Sequence, residues 1–145
     1  MATDSGTRHR LEHARHNKAA SELLAAHGYD DWVVTTCFYS AVHFVRYALF
    51  PRVERLSDGT VAEFETFDAY RAHFKSGQPH DVLVTLVFKN LHDIYKDYLW
   101  LKQACWNSRY KAYGVKRQTA NEAIRRLGKI EESCLTARPE TDDGS

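Results

Sequence analysis

Apolar residues along this chain recur every three to four positions for most of its length, which is the helical period. The first such stretch runs from about Arg8 to His27, and Gly28 fits the left-handed position that ends a helix. Asp30 or Asp31 is then expected to cap a second helix reaching Phe50, where Pro51 stops it. Residues 52–59 read as a charged connection rich in turn residues. A shorter helix is predicted over Val61 to Phe74, because Phe64, Phe67, Tyr70 and Phe74 fall at helical spacing, and Ser76-Gly77-Gln78-Pro79 closes it. A long helix, straight or bent, follows from about Pro79 to Tyr113. Its one ambiguous stretch is Asp81 to Phe88, where Val82, Leu83, Val84, Thr85 and Val87 favour strand but length and flanks favour helix. Gly114 ends it. The last helix spans about Lys116 to Leu135, with Ala120, Ala123, Ile124, Leu127 and Ile130 as its apolar stripe.

Four to five helices with short connections predict an all-α, up-and-down bundle. One domain over residues 8–135 is expected, flanked by flexible tails at 1–7 and 136–145. The chain has 145 residues, enough for one well-buried core without a metal or a disulfide framework. Cys37, Cys105 and Cys134 are odd in number and widely spaced, with no CxxC pair, so a reducing cytoplasm is the natural compartment. No apolar run approaches a membrane span, and no secretory leader is visible. With a formal net charge of +1, any anionic partner has to be met by a local patch rather than by bulk charge. Three Trp, eight Tyr and seven Phe supply the material for such a patch or for a bulky core.

At 100° per residue, three helix faces mix aromatic and polar groups. The first helix aligns His13, His16, Asn17, Ala20, Leu23, Leu24 and His27. The second has an apolar arc of Val34, Phe38, Ala41, Val45 and Leu49, and opposite it Trp32, Thr36, Tyr39, His43, Arg46 and Phe50. The late helix aligns Phe88, Leu91, Tyr95, Tyr98, Lys102, Cys105, Trp106, Arg109 and Tyr113. If these faces converge, they form a cleft containing His16, Asn17, Tyr39, His43, Arg46, Lys102 and Arg109. Such a cleft suits a phosphate-bearing ligand, with guanidinium groups on oxygens and aromatic rings on bases. His16, His43 and Arg109 are the candidates for catalysis: an imidazole to abstract a 2′-hydroxyl proton, an arginine to stabilise developing charge. The plainer roles stand beside these. His43 also fits a buried residue fixing helix register, Lys102 a snorkelling cation, and Arg109 a partner of Glu22 or Asp31. The aromatic stripes fit core and dimer surface as well as base stacking. His9, His13 and His16 have chelating spacing, but no carboxylate or cysteine completes a set, so no metal or other cofactor is expected. Phosphate loops, GxSxG elbows and HExxH motifs are absent.

Three segments carry a family likeness: Ala14-Arg15-His16-Asn17-Lys18 ahead of Leu23-Leu24; Asp31-Trp32 through Phe38-Tyr39-Ser40-Ala41-Val42-His43-Phe44-Val45; and Tyr98-x-x-Leu101-x3-Cys105-x3-Arg109-Tyr110. In this order they resemble the bacterial and archaeal HEPN helical bundles. The resemblance implies a dimer, and a setting among RNA-cleaving toxins, antiviral defence proteins and nucleotide-binding or architectural modules. It also implies, for active ribonucleases, an Arg followed four to six residues later by His near the end of the late helix. Here Arg109 is followed by Tyr-Lys-Ala-Tyr-Gly-Val-Lys-Arg, and no histidine occurs after His92. The pairs Arg8 to His13 and Arg10 to His16 have the spacing but lie on the first helix, and about two such matches arise by chance. An upstream His-x-x-Arg is half present, with His80 followed by Leu83. The expected function is therefore a dimeric RNA-, nucleotide- or partner-binding module in a defence or toxin–antitoxin setting, with a cognate protein partner. A metal-independent ribonuclease with a non-standard His/Arg centre, or a structural interaction module, are the alternatives.

Overall fold

In the computed structural model, which describes residues 2–75, 77–110 and 114–140, six α-helices surround one core and a small hairpin is attached at one end. Helix α1 (Ala2–Ala26) and helix α2 (Asp30–Leu49) form an antiparallel pair. Gly28, at φ 81°, joins them: its N–H donates to Ala25 O and the Tyr29 N–H to Leu24 O, the double bond of a Schellman end. The α1–α2 seam is tight because its residues are small. Ser40 donates its hydroxyl to Ala14 O at 2.7 Å, and Ala14, Ser21, Cys37 and Ala41 are buried beside it. Helix α2 is the axis of the molecule, packed by α1, α4, α5 and α6. Its apolar arc of Val34, Phe38, Ala41, Val45 and Leu49 is buried as the periodicity requires.

Several boundaries differ from the sequence reading, each for a local reason. Helix α1 begins at Ala2 rather than near Arg8. Neither Asp30 nor Asp31 caps α2. Tyr29 is the N-cap without a side-chain bond, and both carboxylates sit in the first turn, where they oppose the helix dipole.

The helix expected over Val61 to Phe74 begins as strand. Strands β1 (Arg52–Arg55) and β2 (Val61–Phe64) pair antiparallel, with Arg52 opposite Phe64 and Arg55 opposite Val61. Their loop closes through Leu56 N–H to Thr60 O and Gly59 N–H to Leu56 O, with Gly59 at φ 88° and the Asp58 carboxylate accepting from the Thr60 N–H and hydroxyl. Helix α3 (Phe67–Phe74) starts only after Thr66, whose hydroxyl accepts from the Ala69 N–H. The aromatics read as one helical stripe instead bridge elements: Phe64 and Tyr70 meet edge to face, and Phe67 and Tyr70 both meet Phe50 at the end of α2.

The segment from Pro79 is helical, including the ambiguous Asp81 to Phe88, but it is not one helix. Helix α4 (Pro79–Asn90) ends at Leu91, a single 3₁₀ turn covers His92–Ile94, and helix α5 (Tyr95–Tyr110) continues. The buried side chains of Leu91 and Ile94 anchor the break. The expected helix end at Tyr113 and the closing Ser76 lie outside the described residues. Helix α6 (Arg117–Ala137) buries Ala120, Ala123, Leu127, Ile130 and Cys134, extending the expected stripe by one turn. Beyond it Glu140 accepts two hydrogen bonds from Arg15, at 2.7 and 3.0 Å; residues 141–145 lie outside the described residues. Among the described residues no helix is long and apolar enough to cross a membrane.

Candidate functional site

Packing α2 against α5 leaves a groove of about 560 Å³ lined by Phe38, Tyr39, His80, Lys102, Cys105 and Arg109, with Trp106 and Tyr110 at its rim. Each lining group follows from its helix. Tyr39 lies one residue beyond the buried Phe38, so it stands at the edge of the α2 core face. Lys102, Trp106, Arg109 and Tyr110 recur at three- and four-residue spacing on α5, beside the buried Leu101 and Cys105. His80 follows Pro79 in the first turn of α4, and its ring meets Phe38 with centroids 5.5 Å apart.

Arg109 donates to the Tyr39 hydroxyl at 3.1 Å, not to Glu22 or Asp31 as the sequence allowed. Its guanidinium lies 5.6 Å from the Tyr110 ring. Trp106 and Tyr110 hold their rings 4.4 Å apart and are 51% and 62% exposed, an unusual exposure for two such large rings side by side. His80 is held below its ordinary value by partial burial and then by the charges of Lys102 and Arg46. These effects favour the neutral imidazole.

Of the seven residues expected to converge, Tyr39, Lys102 and Arg109 line this groove. His43 and Arg46 continue the same α2 stripe toward the hairpin but do not line it. His43 stacks on His13, with centroids 3.8 Å apart and planes 24° apart. Arg46 places its guanidinium 4.8 Å above the Phe67 ring. His16 is exposed and Asn17 half-buried on α1, and neither lines the groove. No known family, curated protein or solved structure matches the chain. The site therefore has to be read from its own chemistry.

That chemistry is two cations, one imidazole and a platform of exposed aromatic rings. Guanidinium and ammonium groups bind phosphate oxygens, and the rings accept stacked bases without sequence preference. The triad His16, His43 and Arg109 is not assembled, since His43 turns to His13 and Arg109 to Tyr39. Among the described residues no group of three or more His, Cys, Asp or Glu is placed to hold a metal ion, and His9 and His13 lie with ring centroids 6.4 Å apart. His80, Trp106 and Tyr110 are groove residues the sequence undervalued. Trp106 already stood on the mixed stripe of the late helix. His80 carried only the Pro79 helix-start signal, and nothing local places it over α2.

Proposed function

We propose that this protein is a HEPN-like helical module that binds single-stranded RNA in the α2–α5 groove without cleaving it. The reading rests on one observation: the exposed, adjacent rings of Trp106 and Tyr110 share a groove with Lys102 and Arg109. Phosphates pair with the two cations, and successive bases stack on the two rings. The family likeness adds a defence or toxin–antitoxin setting and a cognate protein partner, and the want of an Arg-to-His pair on the late helix favours binding over catalysis. Two copies of the chain pair through further exposed apolar groups, for which Leu23, Tyr29 and Trp32 around the α1–α2 turn are the material.

The test is fluorescence anisotropy with a short labelled RNA. Trp106→Ala is expected to weaken binding about tenfold, as loss of one stacking platform does. Equal affinity in wild type and Trp106→Ala would overturn the reading. Light scattering of Trp32→Ser against wild type checks the assembly, with a monomeric wild type counting against it.

Cleavage has one observation in its favour. His80 lies in the same groove as Arg109, and its surroundings favour the neutral imidazole that a general base requires. Metal-free RNA degradation by the wild type, abolished by His80→Ala in a folded protein, would replace binding with catalysis.

A further inference from the structure

Arg10 of α1, Arg46 of α2 and Arg138, the residue that follows α6, meet at the corner where α2 gives way to β1. Arg10 donates to the Phe50 carbonyl at 3.1 Å, and Arg138 donates to the Pro51 carbonyl at 2.7 Å. Arg46 lies over Phe67, whose ring in turn meets Phe50. Each of the three has a buried Nε without a hydrogen-bond partner, and these make up three of the five such atoms among the described residues. All three residues are half-buried. Like charges packed this closely, with their hydration reduced, raise the energy of the folded chain unless a counter-charge enters. The carboxylate felt at Arg10 is Glu65, and its effect is outweighed: burial and the fields of Arg138 and Arg46 hold the Arg10 value below normal.

Arg10 and Arg138 each spend one terminal nitrogen on a backbone carbonyl, which fixes their planes. Arg46 has its position set by the Phe67 ring. Guanidinium donors beyond those contacts suit the oxygens of a small, multiply charged anion. A lone carboxylate offers two oxygens and one charge. A phosphate chain offers more of both.

We infer that the Phe50–Pro51 corner is a binding site for a polyphosphate group, held by Arg10, Arg46 and Arg138. Such a group comes either from a free nucleoside triphosphate or from the phosphorylated end of an RNA. Along α2, Arg46 lies about 10 Å from Tyr39, a rise of 1.5 Å for each of seven residues. One RNA strand is thus able to place its phosphorylated end at the corner and its first bases in the groove. This second source rests on the RNA-binding reading, whereas the site itself does not.

The probe is inorganic tripolyphosphate, titrated calorimetrically at constant ionic strength set with sodium chloride. Saturable binding is expected for the wild type. Arg46→Gln is expected to bind at least about tenfold more weakly, the loss of one charge-assisted contact. Arg125→Gln, an exposed arginine on α6, removes the same charge and is expected to bind as the wild type does. Circular dichroism confirms folding. If Arg46→Gln does not fold, Arg46→Lys keeps the charge but loses the planar fork, and is likewise expected to bind more weakly. Equal affinity in wild type and the Arg46 variant overturns the site, as does a wild-type signal no larger than that of sodium sulfate. With the site in place, a 5′-triphosphorylated RNA that binds tighter than its 5′-hydroxyl twin in wild type, and equally in Arg46→Gln, identifies an RNA end. Tripolyphosphate and ATP binding without that RNA difference identifies a free nucleotide and leaves the α2–α5 groove to be judged by Trp106→Ala.

Discussion

His43 of α2 lies face to face with His13 of α1, their ring centroids 3.8 Å apart. Burial first, and then the positive fields of His13, Arg46 and His9, push the His43 value down to about 4 from 6.5. Between those two values the unfolded chain holds a proton that the folded chain refuses. Stability is therefore complete above about pH 6.5 and falls as pH drops toward 4. His80, also held below normal, adds to the slope with the same sign. Thermal unfolding of wild type and His43→Asn at pH 7.5 and 4.5 checks this: the acid loss in Tm is expected to be smaller in the variant. Identical losses would remove His43 as the source.

Salt dependence separates the two kinds of contact in the α2–α5 groove. Replacing Lys102 or Arg109 with Gln is expected to weaken RNA binding and to lower the slope of log affinity against log salt by roughly one phosphate contact, about 0.7 for a single strand. Trp106→Ala is expected to weaken binding with an unchanged slope, because stacking releases no counterion. Parallel slopes for all the variants would show that the cations do not touch phosphate.

The cysteines are expected to report unfolding in two steps. Burial pushes the Cys37 thiol up to about 11 and raises Cys134 further, while Cys105, beside the groove, is also raised. A neutral thiol is a poor nucleophile. With a disulfide reagent at pH 7.5, Cys105 is expected to react first, and Cys37 and Cys134 only as the whole chain opens. Fast labelling of Cys134 in folded protein would contradict its burial.

Gly28 supports the α1–α2 turn through its positive φ. A Cβ there meets only the Arg117 side chain, at 3.9 Å, so the cost of Gly28→Ala is conformational and not steric crowding. A loss of about 1 kcal/mol is expected in urea unfolding. Ala14→Leu, by contrast, forces a larger group into the seam where Ser40 reaches Ala14 O, with an expected loss of about 1–3 kcal/mol.

The helices were legible in the sequence wherever one face is apolar and the end is marked, as at Gly28, Pro51 and along Ala120 to Ile130. The hairpin was not. Asp58-Gly59 is a strong turn signal, but Phe64, Phe67, Tyr70 and Phe74 fall at helical spacing and suggested a helix starting too early. Phe67, Tyr70 and Phe74 do share α3, but Phe64 belongs to β2 and reaches Tyr70 and Phe74 across elements. The break at Leu91 was hidden for a similar reason, since apolar spacing continues through it. In the site, the sequence placed Tyr39, Lys102 and Arg109 on the right faces. It could not tell that His43 would meet His13, nor that Arg10 and Arg138, 128 positions apart in sequence, would bond the consecutive carbonyls of Phe50 and Pro51.

The hairpin has consequences for how the molecule opens. Each of its two strands has an edge without a neighbouring strand, and beyond the chain itself it is held by Phe64 against Tyr70 of α3 and by Arg52, which donates to Asn90 of α4 at 3.4 Å. Helix α2 is enclosed on several sides by other helices. Amide hydrogens of residues 52–64 should therefore exchange with solvent by a local opening that leaves α2 intact, whereas those at the middle of α2 wait for global unfolding. The arginine corner lies where these two regimes meet, so an anion bound there would slow exchange in the hairpin before it altered anything in the bundle.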